Sequence, residues 1–343
     1  MKQETTVEPI IRELYARFFD GEPVCCESIE TGLSEDDYRK TCIVTAADGE
    51  KAVLKIVSND FTFPDKIRMW KRTVEEYRDL GYYCPRIFCD HNGGFPVIDY
   101  RGKRCVVYAE EFSRYRTLED RMVEDAQSVS TREYAKEIWR MTARIAAKKL
   151  DYTAYPSAFC LFERFCPSNE NDEVTENALE WKALADALPG QFSAQAQRIW
   201  THWNENKNAL RPLYGKLPTS VFQADLNATN LLIDKDGAFK GVMDFNLCGK
   251  EVFLNYLMRE IYSDFEPEIE RIREALRISS AYYVFSEDEK RAALPLYRCL
   301  KPLWFTRVED LREAGDDETK IRQCLDRIEF YLTADLDFIS CME

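Results

Sequence analysis

Histidine is almost missing from this chain: His91 and His202 are the only two among 343 residues. Cysteine occurs 12 times but never as a C-x-x-C pair. A zinc site therefore has no ligand set at a usual spacing. No stretch approaches the roughly 18 consecutive apolar residues of a membrane-spanning helix. The opening segment MKQETTVEPIIREL is polar and reads as the start of an amphipathic helix, not as a secretion leader. The cysteines are thus expected to be reduced core fillers of a cytoplasmic protein, with no disulfide framework and no membrane partner. Positive charge is also short, with 47 Lys and Arg against 61 Asp and Glu and a net charge of −14. That excludes a general nucleic-acid binder, which needs a basic face, and would suit a cationic small substrate. Internal repeats and low-complexity segments are absent.

What is present is enough apolar material for a large core: 45% hydrophobic and 13% aromatic residues. The first third is rich in strand signals. Val24–Glu30, Tyr38–Ala46 and Lys51–Val57 form a predicted meander, joined by the loop TGLSEDD and the turn ADGE. Pro64–Gly81 follows as a helix stopped by its glycine, and PVIDY-RGK-RCVVYAEEF reads as another hairpin. A linker is expected near Glu111–Tyr115. From Thr131 the apolar spacing turns helical, and it stays so to the C-terminus, with capping and breaking signals near FEPEIE and ALPLYR. One hairpin interrupts these helices: VFQADLNATNLLIDKDGAFKGVMDF, Val221–Phe245. The expectation is an α+β chain of two packed lobes with a cleft between them. Residues 1–112 would form a small antiparallel-sheet lobe with one helix, and residues 113–343 a larger, mainly helical lobe.

The embedded hairpin carries chemistry that hairpin formation does not require. Its strands are Asn230-Leu231-Leu232-Ile233 and Gly241-Val242-Met243, turning at Asp236-Gly237. Asp225 and Asn230 stand before the first strand, and Asp244 closes the second. Two carboxylates and an amide oxygen therefore meet in one small volume. Such hard oxygen ligands suit Mg²⁺, which takes one or two carboxylates and completes its shell with water and phosphate. Asp225 would be left to accept a proton from a substrate hydroxyl, as phosphoryl transfer requires.

The segment QADLNATNLLID…GVMDF resembles the catalytic segment of the aminoglycoside phosphotransferase and choline kinase families, which share the protein-kinase-like fold. The resemblance follows the element order from Val24 to Ile261 and is specific at the hairpin and at Lys55. It implies that Asp225 is the catalytic aspartate, with Asn230 and Asp244 as metal ligands, ATP and Mg²⁺ as cofactors, and a small-molecule hydroxyl as acceptor. It also implies that Lys55, in AVLK, holds the nucleotide's α- and β-phosphates and is oriented by a helix glutamate. Of Glu75 and Glu76, the second lies nearer the apolar face of its helix, with Met69, Thr73 and Leu80, and is the expected partner. By the same resemblance, Ser34 in TGLSEDDYR donates to a phosphate. YAEEF, with Glu110 and Phe112, is the nucleotide-binding hinge.

The chain departs from the family pattern in three places. Gln223 stands where histidine is usual, Asn246 follows Asp-Phe where glycine is usual, and the phosphate turn has only Gly32. Gln can still donate a bracing hydrogen bond, and Asn tolerates a left-handed backbone. The expected function is an ATP-dependent phosphotransferase acting on a small-molecule hydroxyl. The acceptor would be an antibiotic, choline or ethanolamine, or a sugar-like metabolite. The alternative is a nucleotide-binding pseudokinase or scaffold, which Gln223 and Asn246 favour. Trp181, Trp200, Trp203, Tyr256 and Tyr262 could cage a quaternary ammonium by cation–π contact, although helix-spaced aromatics more often build core.

Overall fold

The computed structural model describes residues 7–32, 34, 36–124, 131–261 and 268–343. The chain divides into two compact units. The first comprises residues 1–131, 166–168 and 225–249, and the second comprises residues 132–165, 169–224 and 250–343. The break falls at Thr131, not at the expected Phe112, and the β-hairpin of residues 225–249 groups with the first unit.

The first unit opens with helix α1 (Pro9–Phe18), followed by strands β1 (Pro23–Glu30), β2 (Tyr38–Ala46) and β3 (Lys51–Ser58). Helix α2 (Pro64–Asp79) has proline in its first turn, where the missing N–H costs nothing. Gly81, at φ 91°, supplies the left-handed residue beyond its end. Strands β4 (Ile87–Phe88), β5 (Val97–Tyr100) and β6 (Lys103–Glu111) complete the sheet. The order is β1-β2-β3-β6-β4, with β5 also on β6. Side chains alternate across this sheet. Cys42, Val44, Leu54, Ile56, Cys105, Val107 and Ala109 point to one face and pack with Ile11, Leu14 and Phe18 of α1. Lys55 lies directly opposite Tyr108, and Val53 opposite Glu110, so these four share the other face. There the ring of Tyr108 meets Trp70 of α2 edge-on at 6.0 Å.

Strand β7 (Arg116–Thr117) and helix α3 (Leu118–Glu124) follow in the same unit. The second unit begins with helices α4 (Ala135–Ala147), α5 (Glu173–Asp186) and α6 (Gly190–Tyr214), then strand β8 (Thr219–Phe222). The hairpin, back in the first unit, is β9 (Leu231–Ile233) and β10 (Phe239–Val242). Strand β11 (Gly249–Val252) pairs with β8. It leads into helices α7 (Phe253–Arg259), α8 (Glu268–Ser280), α9 (Glu287–Leu300), α10 (Phe305–Ala314) and α11 (Glu318–Thr333). Pro295, expected to break a helix, lies inside α9. The signal at Phe265–Pro267 falls outside the described residues.

The hairpin joins the first unit through two backbone connections. Strand β7 pairs with β9, Arg116 opposite Ile233. Tyr83 bridges to Gly241, with Tyr83 N–H donating to Lys240 O at 2.7 Å and Val242 N–H donating to Tyr83 O at 3.1 Å. A Cβ on Gly241 would stand 1.8 Å from Tyr83 O, so only glycine permits this approach.

Candidate active site

The loop from Asp225 to Asn230 is folded around the Asp225 carboxylate. Asn227 Nδ2 donates to its Oδ1 at 2.9 Å, and Asn230 Nδ2 donates to its Oδ2 at 2.9 Å and to its backbone carbonyl at 3.0 Å. Each carboxylate oxygen thus has an amide donor that fixes its direction. On the partner strand, Met243 N–H donates to Asn230 O at 2.9 Å. The ladder ends there and the chain turns at once, with Asp244 left-handed at φ 56°. The left-handed residue expected at Asn246 therefore falls two positions earlier, on an aspartate, which tolerates that conformation comparably well.

Asp244 turns toward β3. Its Oδ1 lies 3.6 Å from Lys55 Nζ, and Glu110 Oε2 lies 3.2 Å from the same nitrogen. Burial alone would push Lys55 down, but the charges of Asp244 and Glu110 outweigh it and hold the ammonium well above its usual range. Burial raises Glu110, with Lys55 opposing and Asp244 adding to the rise. Asp225 is pushed up to about 6, first by burial and then by the negative charge of Asp244, against the pull of its amide donors. Asp244 and Glu110 thus share the Lys55 ammonium, and the charge of Asp244 also reaches Asp225.

Two carboxylates this close to each other fit a divalent cation. Asn230 spends its amide nitrogen on Asp225, so Oδ1, which also accepts from Thr229 Oγ1 at 3.3 Å, is the atom that could face a metal, and Asp244 could add a half-buried carboxylate. Among the described residues no group of three or more His, Cys, Asp or Glu side chains forms a ready-made metal site. Mg²⁺ does not need one, because it keeps water and substrate phosphate in its shell.

The other expected residues are placed as follows. Ser34 is exposed in the β1–β2 turn and forms an isolated bridge with Asp37. That turn is held by Asp37, whose carboxylate accepts from Arg39 at 2.8 and 2.7 Å and from Asn59 at 3.0 Å. A Cβ on Gly32 would stand 2.1 Å from Asp37 O, which explains the one glycine of the turn. Phe112 follows β6, 37% exposed, with Lys51 Nζ 5.2 Å from its ring centre. Glu76 is half-buried on α2. Glu110 of the neighbouring strand is paired with Lys55, set diagonally across the ladder. Two contacts were not anticipated: the Lys55–Glu110 ion pair and the Asn227 donor to Asp225. The alternation of β6 carries the signal for the first, since residues 108 and 110 share the face of Lys55 once the register is known.

In the second unit, Gln223 is fully buried at the end of β8. Ala224 follows in a left-handed conformation (φ 69°), with its N–H on Tyr256 Oη at 3.3 Å. Among the described residues, the aromatics proposed for a cage do not line one site. Trp181, Trp203 and Tyr256 are buried core residues, and Tyr262 lies outside the described residues. Trp200 and Trp203 stack on each other at 5.7 Å and are approached by the chain's own cations, Lys182 and Lys207.

A family model described as the phosphotransferase enzyme family matches residues 29–254. No curated protein sequence matches significantly. Among solved structures, a microcompartment-associated aminopropanol kinase aligns at 15% identity and TM-score 0.57, covering 95% of each chain. An amicoumacin kinase solved with AMP-PNP and Ca²⁺ aligns at 14% identity and TM-score 0.52, covering 97% of this chain and 96% of that one. A spectinomycin phosphotransferase solved with ADP and spectinomycin aligns at 12% identity and TM-score 0.50, covering 98% of each. At these identities the likeness is one of fold. No helix among the described residues is long and apolar enough to cross a membrane.

Proposed function

The chain belongs to the phosphotransferase enzyme family, and on that footing we propose that it transfers the γ-phosphoryl group of ATP directly to a hydroxyl of a small molecule. The observation that carries this reading is the convergence of Asp225, Asn230, Asp244 and Lys55 in one site. Lys55 holds nucleotide phosphate oxygens. Asp225, aimed by Asn227 and Asn230, orients the acceptor hydroxyl and takes its proton. Asn230 Oδ1 and the Asp244 carboxylate hold Mg²⁺, which when bound neutralises phosphate charge. Ser34, exposed in the β1–β2 turn, would donate to a phosphate, and the Glu110–Phe112 backbone would hydrogen-bond the base.

The acceptor is a small molecule, and the net charge of −14 favours a cationic one. The likeness to an aminopropanol kinase makes short amino alcohols the first compounds to try. The test is incubation with ATP and Mg²⁺ against a library of amino alcohols, other cations and polyols, read by mass spectrometry. Stoichiometric ADP and a phosphorylated acceptor are expected. Tight Mg²⁺-ATP binding with no acceptor phosphorylated across the library would reject the transferase assignment in favour of a nucleotide-binding scaffold.

A further inference from the structure

Lys55 and Glu110 lie on adjacent strands of one sheet. The register places Lys55 opposite Tyr108 and Val53 opposite Glu110, so lysine and glutamate are diagonal neighbours on the same face. Their charged atoms are 3.2 Å apart, and both side chains are nearly buried, 13% and 11% exposed. Tyr108 lies beneath the pair, its ring centre 5.9 Å from Lys55 Nζ. An ammonium has three donors. Glu110 and Asp244, at 3.2 and 3.6 Å, account for two of them, which leaves one for a ligand.

We infer that the Glu110 side chain, on the strand beside Lys55, is a residue that positions Lys55 for nucleotide phosphate. Two strands in one hydrogen-bonded ladder fix the spacing of the pair, so the lysine is aimed before nucleotide arrives. This inference rests on the ATP-dependent reading above. It assigns Glu110 a task beyond the hinge, in which only its backbone would face the base.

The experiment is calorimetric binding of ATP, ADP and adenosine, each with Mg²⁺, to the wild-type chain, Glu110→Gln and Glu110→Asp. A positioning role through Lys55 concerns phosphate alone. Glu110→Gln is therefore expected to weaken ATP and ADP by about 10–100-fold, the scale of one charged hydrogen bond, and to leave adenosine unchanged. Glu110→Asp, which keeps the charge, recovers part of the loss. Equal weakening of adenosine overturns the inference, because a general distortion of the base site would explain it. Unchanged ATP affinity in Glu110→Gln overturns it as well, with the transferase reading intact. A wild-type chain that binds neither ATP nor ADP removes both.

Discussion

Asp225 and Asp244 are both carboxylates at the mouth of one hairpin, and replacing each by asparagine separates their roles. Asp225→Asn is expected to leave Mg²⁺-ATP affinity near the wild-type value and to lower kcat by about 10²–10⁴, the range for a lost general base. Asp244→Asn removes a charged oxygen ligand and is expected to weaken Mg²⁺-dependent ATP binding by about tenfold or more, with turnover falling too. Calorimetric titrations with and without Mg²⁺, beside steady-state rates, read both. The reverse pattern would exchange the assignments, and no change in either variant would remove the transferase reading. These two residues and Asn230 could be read in the sequence because a D-x-x-x-x-N loop and a strand-closing aspartate are local patterns. Glu110 could not be assigned to Lys55 in the same way. The two are 55 residues apart, and only the strand register brings them together.

A second residue-scale expectation concerns a carboxylate outside that site. Glu251 is buried and accepts from Tyr214 Oη, Ser157 Oγ and Val252 N. Burial pushes it up to about 7 against those hydrogen bonds. A folded-state value above the unfolded one favours the protonated fold. Its contribution is therefore complete below about pH 4.5 and lost as pH rises through about 7, amounting to roughly 3 kcal/mol at most. Denaturant unfolding between pH 5 and 8 is expected to show falling stability with a shallower slope in Glu251→Gln. Identical slopes would assign the effect to other groups.

Among the elements, those with a strong local period were legible. Helix α2, with its proline at one end and glycine at the other, the β1–β3 meander and the β9–β10 hairpin all follow from alternation, helical spacing and turn residues. The two-residue strands β4 and β7 carry no period, and their pairing is decided by distant partners. The Tyr83–Gly241 bridge is another such long-range feature, and it has a steric consequence. Gly241→Ala would drive a Cβ to 1.8 Å from Tyr83 O and 2.7 Å from Tyr83 N, both backbone atoms that cannot rotate away. The hairpin must then separate from residue 83, at a cost of about 2 kcal/mol or more. Gly49→Ala is the comparison. It has positive φ (89°) but nothing within 4 Å, so only its backbone strain of about 1 kcal/mol applies. Urea midpoints rank the two. A Gly241→Ala midpoint equal to wild type would show that the bridge is not formed in solution.

At the scale of the whole molecule, the order of a strand-rich part followed by helices was legible because composition changes along the chain. The return of residues 225–249 to the first unit was less so, since it depends on β7–β9 pairing and the Tyr83 bridge. The acceptor left no local motif, and Trp181, Trp203 and Tyr256, three of the aromatics considered for an ammonium site, are core. Overall charge remains as the guide to substrate. With 61 acidic against 47 basic side chains, the molecule attracts cations over a distance set by the ions around it. That distance is about 8 Å at physiological salt and about 3 Å at 1 M. A cationic acceptor is therefore expected to show a KM that rises severalfold between low and high salt as steering is screened. Its kcat should change less, because the ion pairs around Lys55 are nearly buried and poorly screened. Steady-state rates at several salt concentrations, at fixed Mg²⁺ and saturating ATP, separate the cases. A KM level across the range would remove the argument from charge and point to a neutral acceptor. A KM that falls with salt would mean that the acceptor is an anion repelled by this surface.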